Sequence, residues 1–403
     1  MSWRHKSKSD WGRLDMRCEV VELGEVCKNI MSGGTPKSTF GEYYNGGIPW
    51  LNTKEVHFNR IYQTEKTIST LGLQNSAAKW ITANSVIVAM YGATAGNVAI
   101  NLIPLTTNQA CCNLEIDAAK ADYRYIYYFL KASYIKLASL ANGGAQQNLN
   151  TKLIREFKIT LPSLSVQKEI ANGLWALDDK IELNNKINEN LEQQARTLFA
   201  QWLIENDGAY EFAVLSDVAV INPDTYSPKD AWEDVNYLET SSITDGIISE
   251  IQHIKPLTEK LPSRARRIIA ANDIVFSTVR PNQRHFGIIS HPTENMLAST
   301  GFAVIRSKHP SVSNELLYLC LTEDGFIEKV QQLAEQSTST FPSIKPSDLG
   351  SCKIPYPISP ELNEALKAIF VNISNNQKQN RALAEIRDTL LPKLMDGKLN
   401  IDF

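Results

Sequence analysis

Histidines, cysteines, glycine-rich turns and a cluster of arginines are the residues of this chain that could do chemistry. The six histidines (His5, His57, His253, His285, His291, His309) are scattered, and none has a GxSxG nucleophile elbow nearby. The six cysteines (Cys18, Cys27, Cys111, Cys112, Cys320, Cys352) form no CxxC pair and have no histidines at zinc spacing, so reduced, partly buried thiols and no metal are expected. Gly92-Ala93-Thr94-Ala95-Gly96-Asn97 lacks the lysine and the spacing of a phosphate-binding loop. Asn222-Pro223-Asp224 comes nearest to the Asn/Asp-Pro-Pro-aromatic strand end of an amino-methyltransferase, without its second proline or its aromatic. No catalytic constellation emerges, and a non-enzymatic protein is expected.

What remains is recognition chemistry. Asn and Gln can make paired hydrogen bonds to adenine, Arg can do so to guanine, and Ser or Thr can reach bases or phosphates. In the first half these types gather at Thr53 and Lys54, at Tyr91, Thr94 and Asn97, at Asn108 and Gln109, and at Gln146, Gln147 and Asn148. The second half offers Thr240 and Ser241, then Arg264, Arg266 and Arg267, then Thr278, Arg280, Asn282 and Arg284, then Thr300, Ser337 and Thr338. Each loop alone has the composition of any solvent-facing turn, whereas their recurrence in both halves points to a shared binding face. From Lys260 to Arg284 the only acid is Asp273, which suits a phosphate-binding surface. The first half is sparsely basic, with Lys37, Lys54, Arg60, Lys66 and Lys79, so its own DNA affinity should be modest.

The whole-chain balance gives no such signal. In 403 residues, 43% are hydrophobic and 21% charged, with a net charge of −3 and a pI near 6.1. Nucleic-acid binding must therefore come from local patches. No apolar run is long enough to cross a bilayer. The basic stretch Met1 to Arg17, with Trp3 and Trp11, lacks the apolar core of a signal peptide, and a cytoplasmic protein is expected.

The elements that must carry these loops come in two copies. Val21-Glu22-Leu23-Gly24-Glu25-Val26 is echoed from Ala213, where Leu23 to Leu215 is an offset of 192. Ile81 to Val88 is echoed by Ile269 to Phe276 at an offset of 188, and the approach from Leu149 to Pro162 by that from Ile344 to Pro357 at 195. Offsets that drift while order holds are what loop insertions in a duplicated unit produce. Each copy ends in a long helix. Ile170, Leu174, Leu177, Ile181, Asn184, Asn188, Leu191, Ala195, Leu198 and Trp202 form a coiled-coil seam. Leu366, Ile369, Ile373, Asn376, Asn380, Leu383, Arg387, Leu390 and Leu394 form another. Paired antiparallel, Asn184 would face Asn380 and Asn188 would face Asn376, and such asparagines fix register at some expense of stability.

The expected plan is a basic tail (1–17), a first recognition domain (18–165), a first spacer helix (166–206), a second recognition domain (207–358) and a second spacer helix (359–403). The fold class expected is α+β, two mixed globular domains separated by two long helices in an intramolecular antiparallel coiled coil. Within the domains, Tyr123 to Leu140 and Asn314 to Ala334 should each be one helix, the first burying Tyr125, Tyr128, Phe129, Ala132 and Ile135. Pro392 should interrupt the second long helix near its end.

The duplicated domain-helix plan, Gly34-Thr35-Pro36, Ile48-Pro49-Trp50, the Gln146 to Pro162 approach and Thr389-Leu-Leu-Pro-Lys-Leu-Met-Asp-Gly397 together resemble the specificity subunit of type I restriction-modification enzymes, from Val20 to Leu399. The resemblance implies two target-recognition domains that read a bipartite DNA sequence, with the helices as a ruler between them. It also implies that this chain binds no cofactor itself. S-adenosylmethionine would sit on methylation subunits, two of them, docked near the helices. ATP and Mg would belong to restriction and translocase subunits. The chain would select adenines for methylation without doing the chemistry. Two other readings compete: a self-sufficient DNA methyltransferase with divergent motifs, and a coiled-coil scaffold whose domains bind proteins.

Overall fold

The computed structural model describes residues 18–140, 148–337, 341–356 and 359–396. It is a mixed α/β fold with two long helices, Leu164–Glu205 and Pro360–Met395. The chain divides into two compact units, residues 1–181 with 382–403 and residues 182–381. The division falls inside both helices, so each unit holds one globular body and a stretch of each helix.

In the first unit the central sheet runs in the order Cys27–Ser32, Cys111–Ile116, Val86–Ala89, Val98–Asn101, Arg60–Ile61. Val86-Ile87-Val88-Ala89 is apolar at every position because both faces are covered and all four residues are buried. The turn feeding it holds Asn84 at φ 66°, a left-handed backbone that Asn tolerates better than most residues. A second sheet runs Lys66–Ile68, Tyr44–Leu51, Leu105–Thr107, Trp80–Ile81, its middle pair parallel.

The second unit repeats this plan. Ala219–Ile221, Phe302–Ser307, Asp273–Ser277 and Phe286–Ile289 form one sheet. Gln252–Ile254, Val235–Leu238, Met296–Ser299 and Ala265–Ile268 form the other, and its middle pair is again parallel. Asn272 takes the place of Asn84, with φ 64°. Corresponding backbone bonds close each unit: Leu23 N–H donates to Phe157 O at 2.9 Å, and Leu215 N–H to Cys352 O at 2.8 Å.

The helical stretches of the globular bodies differ from expectation. Tyr123–Ala132 and Tyr134–Ser139 are separate helices meeting at Ser133, and Asn314–Leu321 and Asp324–Glu335 are likewise separate. Tyr125, Tyr128 and Phe129 are buried, but Ile135 is 80% exposed and Ala132 is exposed too. The break at Ser133 turns the apolar stripe, and Leu137 becomes the buried residue of the following turn. Pro392 does not end its helix, which continues to Met395. A proline this close to the C-terminus removes one hydrogen bond only, and buried Leu391 and Met395 hold the last turn in the core of the first unit.

Within the first unit the helices are clamped by charge. Arg387 Nη1 donates to Asp178 at 2.6 Å, the Tyr128 hydroxyl donates to the same carboxylate at 2.5 Å, and Arg60 pairs with Asp179 while lying over the Trp175 ring. Within the second unit the contact is made by amides. Asn184 is fully buried, and its Nδ2 donates to Asn380 Oδ1 and Gln379 Oε1, both at 2.8 Å. Asn376 Nδ2 donates to Asn188 Oδ1 at 2.8 Å. Partner numbers rise on one helix as they fall on the other. Leu366, Phe370 and Ile373 join Ala195 and Phe199 in the core of this unit.

Candidate nucleic-acid interface

Two parallel strands side by side send their following loops out at the same edge of a sheet. In the first unit those loops are Asn52-Thr53-Lys54 and Asn108-Gln109, after Tyr44–Leu51 and Leu105–Thr107. Asn52 caps a short turn by accepting from Lys54 N, and Asn108 N–H donates to Leu51 O at 3.0 Å, tying the loops together. The glycine-rich turn after Val86–Ala89 joins them: Thr94 Oγ1 donates to Thr53 O at 3.1 Å, Asn97 Nδ2 to Val56 O at 3.1 Å, and the Tyr91 hydroxyl to Gln109 O at 2.9 Å. Gly33 packs on Thr107 so closely that a Cβ would overlap its carbonyl, and Gly34 N–H donates to that same carbonyl at 2.9 Å. The adjoining Thr35 hydroxyl bonds Gln109 Oε1. Leu149 N–H reaches Met90 O at 2.9 Å, which brings exposed Asn148 to the same edge.

The second unit assembles its loops by the same rule. Thr240-Ser241 follows Val235–Leu238, and Thr300-Gly301 follows its parallel neighbour Met296–Ser299. A Cβ on Gly301 would lie 2.6 Å from Thr240 Oγ1 and 3.0 Å from Arg264 Nη2, so these three meet. Thr278, at the end of Asp273–Ser277, donates both its N–H (2.8 Å) and its hydroxyl (2.9 Å) to Gly301 O. Ile344 N–H donates to Thr278 O at 2.9 Å, the counterpart of Leu149 on Met90.

Not every expected residue is presented alike. Asn108 is 7% exposed and Thr278 6%, so their side chains shape the loops more than they offer donors. Lys54 forms an ion pair with Glu65 at 2.5 Å. Arg284 is held by two carboxylates, Asp245 at 2.6 Å and Asp324 at 2.7 Å, which occupies its donor fork. Arg266 Nε donates to Ser263 O. Arg267 is half-buried, with Nε buried and lacking a hydrogen-bond partner, and burial lowers its pKa. Arg264, Arg280, Ser241, Asn282 and Thr300 are exposed at or beside the edge, and Ser337 is half-buried. Gln146, Gln147 and Thr338 lie outside the described residues.

Sequence reasoning passed over Phe341, which is 53% exposed and lies beneath the Arg280 guanidinium. An aromatic after a Ser/Thr run was the only signal it carried. Among the described residues no cluster of His, Cys, Asp and Glu could hold a metal ion, and no helix is long and apolar enough to cross a membrane. Burial pushes the thiols of Cys27, Cys112 and Cys320 up to about 12, which leaves them protonated and unreactive at neutral pH.

Comparison with known proteins bears on this arrangement. The model of the type I restriction modification DNA specificity domain matches residues 17–193. The type I restriction enzyme MjaIX specificity subunit of Methanocaldococcus jannaschii is 28% identical across 99% of this chain and 98% of its own length. The HindI specificity subunit of Haemophilus influenzae is 22% identical across 97% and 100%. The crystal structure of a type I restriction-modification S subunit from M. genitalium superposes with a TM-score of 0.56 at 18% identity, covering 96% of this chain and 98% of that one. At that identity the likeness speaks for the fold.

Proposed function

We propose that this chain, which belongs to the DNA-specificity subunits of type I restriction-modification systems, reads a split DNA target with one polar loop edge in each unit. The observation that carries the reading is the doubled edge itself. In both units a parallel strand pair and a neighbouring strand end deliver Asn, Gln, Ser, Thr and Arg side chains to one place. Such side chains recognise bases and phosphates. The first edge uses neutral groups at Thr53, Tyr91, Thr94, Asn97, Gln109 and Asn148. The second adds two exposed cations, Arg264 placed for a phosphate and Arg280 for a base, so the two half-sites differ in sequence.

The two long helices act as an antiparallel coiled-coil spacer between target-recognition domains, and the asparagines Asn184, Asn188, Asn376 and Asn380 set its register. Within the second unit, exposed apolar side chains remain on the helices, Leu183 and Ile187 on the first and Val371 on the second. They offer a docking face to methylation subunits. Those subunits, two per chain, carry S-adenosylmethionine, and translocating nuclease subunits use ATP with Mg. This chain selects the adenine and performs no bond chemistry.

The test is co-expression with the neighbouring methylation subunit, followed by single-molecule mapping of methylated adenines in host DNA. One split motif with a fixed gap is expected. A stable complex that methylates nothing, or a motif without a gap, overturns the reading.

A further inference from the structure

The turn from Thr278 to Arg284 is built more rigidly than a surface loop requires. Arg280 and Arg284 both hold left-handed backbones, at φ 47° and 57°, a region that residues with a Cβ seldom occupy and that clusters at functional sites. The backbone is pinned from both sides. Arg280 N–H donates to Pro342 O at 2.9 Å, Val279 bridges Ser343 antiparallel, and buried Pro281 fixes the next residue. Thr278, two residues earlier, is bonded to Gly301 at the polar edge.

The two arginines then diverge. Arg284 spends its fork on Asp245 and Asp324. Arg280 makes no ion pair with another described residue, is exposed, and lies over the Phe341 ring with its guanidinium carbon 4.6 Å from the centroid. A guanidinium over an aromatic face keeps its in-plane N–H donors off the ring and available, with fewer orientations to lose on binding. A phosphate contact needs a charge within reach. It needs neither a strained backbone nor a fixed plane. Two parallel donors in a preset plane are what the O6 and N7 acceptors of guanine require in the major groove.

We infer that Arg280 is the residue with which the second unit reads a guanine, that Phe341 positions it, and that Arg284 is a strut holding the turn. This rests on the reading of the chain as a DNA-specificity subunit. At the corresponding place the first unit has Gly92-Ala93-Thr94, so the device belongs to one half-site only.

The experiment selects bound duplexes from a randomised library with the complex of this chain and its methylation subunits, comparing wild type with Arg280→Lys, Arg280→Ala and Phe341→Leu. Thermal melting confirms that each variant is folded. The wild type should select a split motif with a guanine in one half. Both Arg280 variants should lose preference at that one position by about 5- to 150-fold, leaving the other positions and the other half unchanged. Phe341→Leu should lose about 2- to 5-fold at the same position. Lysine is the discriminating change, because it keeps the charge and loses the fork. Retained guanine preference in Arg280→Lys, or an equal loss on all sequences in Arg280→Ala, overturns the inference while leaving the broader reading intact. A wild-type complex that selects no split motif overturns both.

Discussion

At the scale of single residues, the two units place glycines where a side chain would have opposite consequences. A Cβ on Gly33 would overlap the Thr107 carbonyl and crowd the Asn108 carbonyl, and backbone cannot step aside cheaply. Gly33→Ala should therefore cost about 1–3 kcal/mol or more, read as a large fall in Tm. A Cβ on Gly301 would meet the ends of two movable side chains, Thr240 Oγ1 and Arg264 Nη2. Gly301→Ala should leave Tm nearly unchanged and weaken binding of the second half-site, measured by titration with duplexes altered in one half. Lys131 gives a pH-dependent case. Burial lowers its pKa, with Arg387 and Arg60 pushing the same way against Asp178 and Asp388. The unfolded chain then binds this proton more tightly than the folded one, so stability rises with pH between the folded value and the ordinary lysine value of about 10.4. Lys131→Met should raise Tm at pH 7, and the gain should shrink as pH approaches 10.4. Residue types at this scale were legible in the sequence, since Asn, Gln, Thr and Arg declare their hydrogen-bonding capacity. Their commitments were not. Nothing in the order of residues tells that Arg284 is tied to acids 39 and 40 positions away, or that Arg280 adopts a backbone usually left to glycine.

At the scale of elements, a spacing of three and four made the two long helices legible, although Leu198 of the expected first seam is 39% exposed and its neighbour Phe199 is buried in its place. Helix breaks inside the globular bodies were less visible. Ser133 and the Thr322-Glu323 pair stop helices through caps, with Glu323 accepting from Phe326 N, while apolar periodicity runs on past them. The parallel pairing of Tyr44–Leu51 with Leu105–Thr107 joins strands more than fifty positions apart, and only chain topology brings them together. The asparagine seam yields a prediction that sequence and structure argue jointly. Asn184 has an Oδ1 that is buried without a partner, so this polar contact is incompletely satisfied and costs stability. Replacing Asn184 and Asn380 together by Leu should raise stability by about 1–2 kcal/mol while admitting other registers. Melting curves read the first effect. Cysteine pairs at in-register and shifted positions read the second, and cross-linking confined to one register in the double variant would refute the register role.

At the scale of the whole molecule, charge decides how binding responds to salt. A chain of net charge −3 attracts DNA only where its cations cluster, and each phosphate neutralised lowers log K against log salt by about 0.9. The second unit holds that cluster, with Arg264 exposed at the loop edge and Arg266 half-exposed on the adjoining strand. In the first unit Lys54 is already paired with Glu65, so DNA must compete with an internal carboxylate for it. Arg264→Gln combined with Arg266→Gln should flatten the salt dependence of the methylation complex by up to about 1.8 in slope. The loss should be the same on every sequence, because phosphates carry no sequence information. Lys54→Gln should change the slope by much less. Titrations from roughly 50 to 200 mM salt, the range in which phosphate contacts dominate, would separate the two. Equal slopes for both variants would mean that the units share the phosphate contacts evenly and that the arginine cluster of the second unit serves another end.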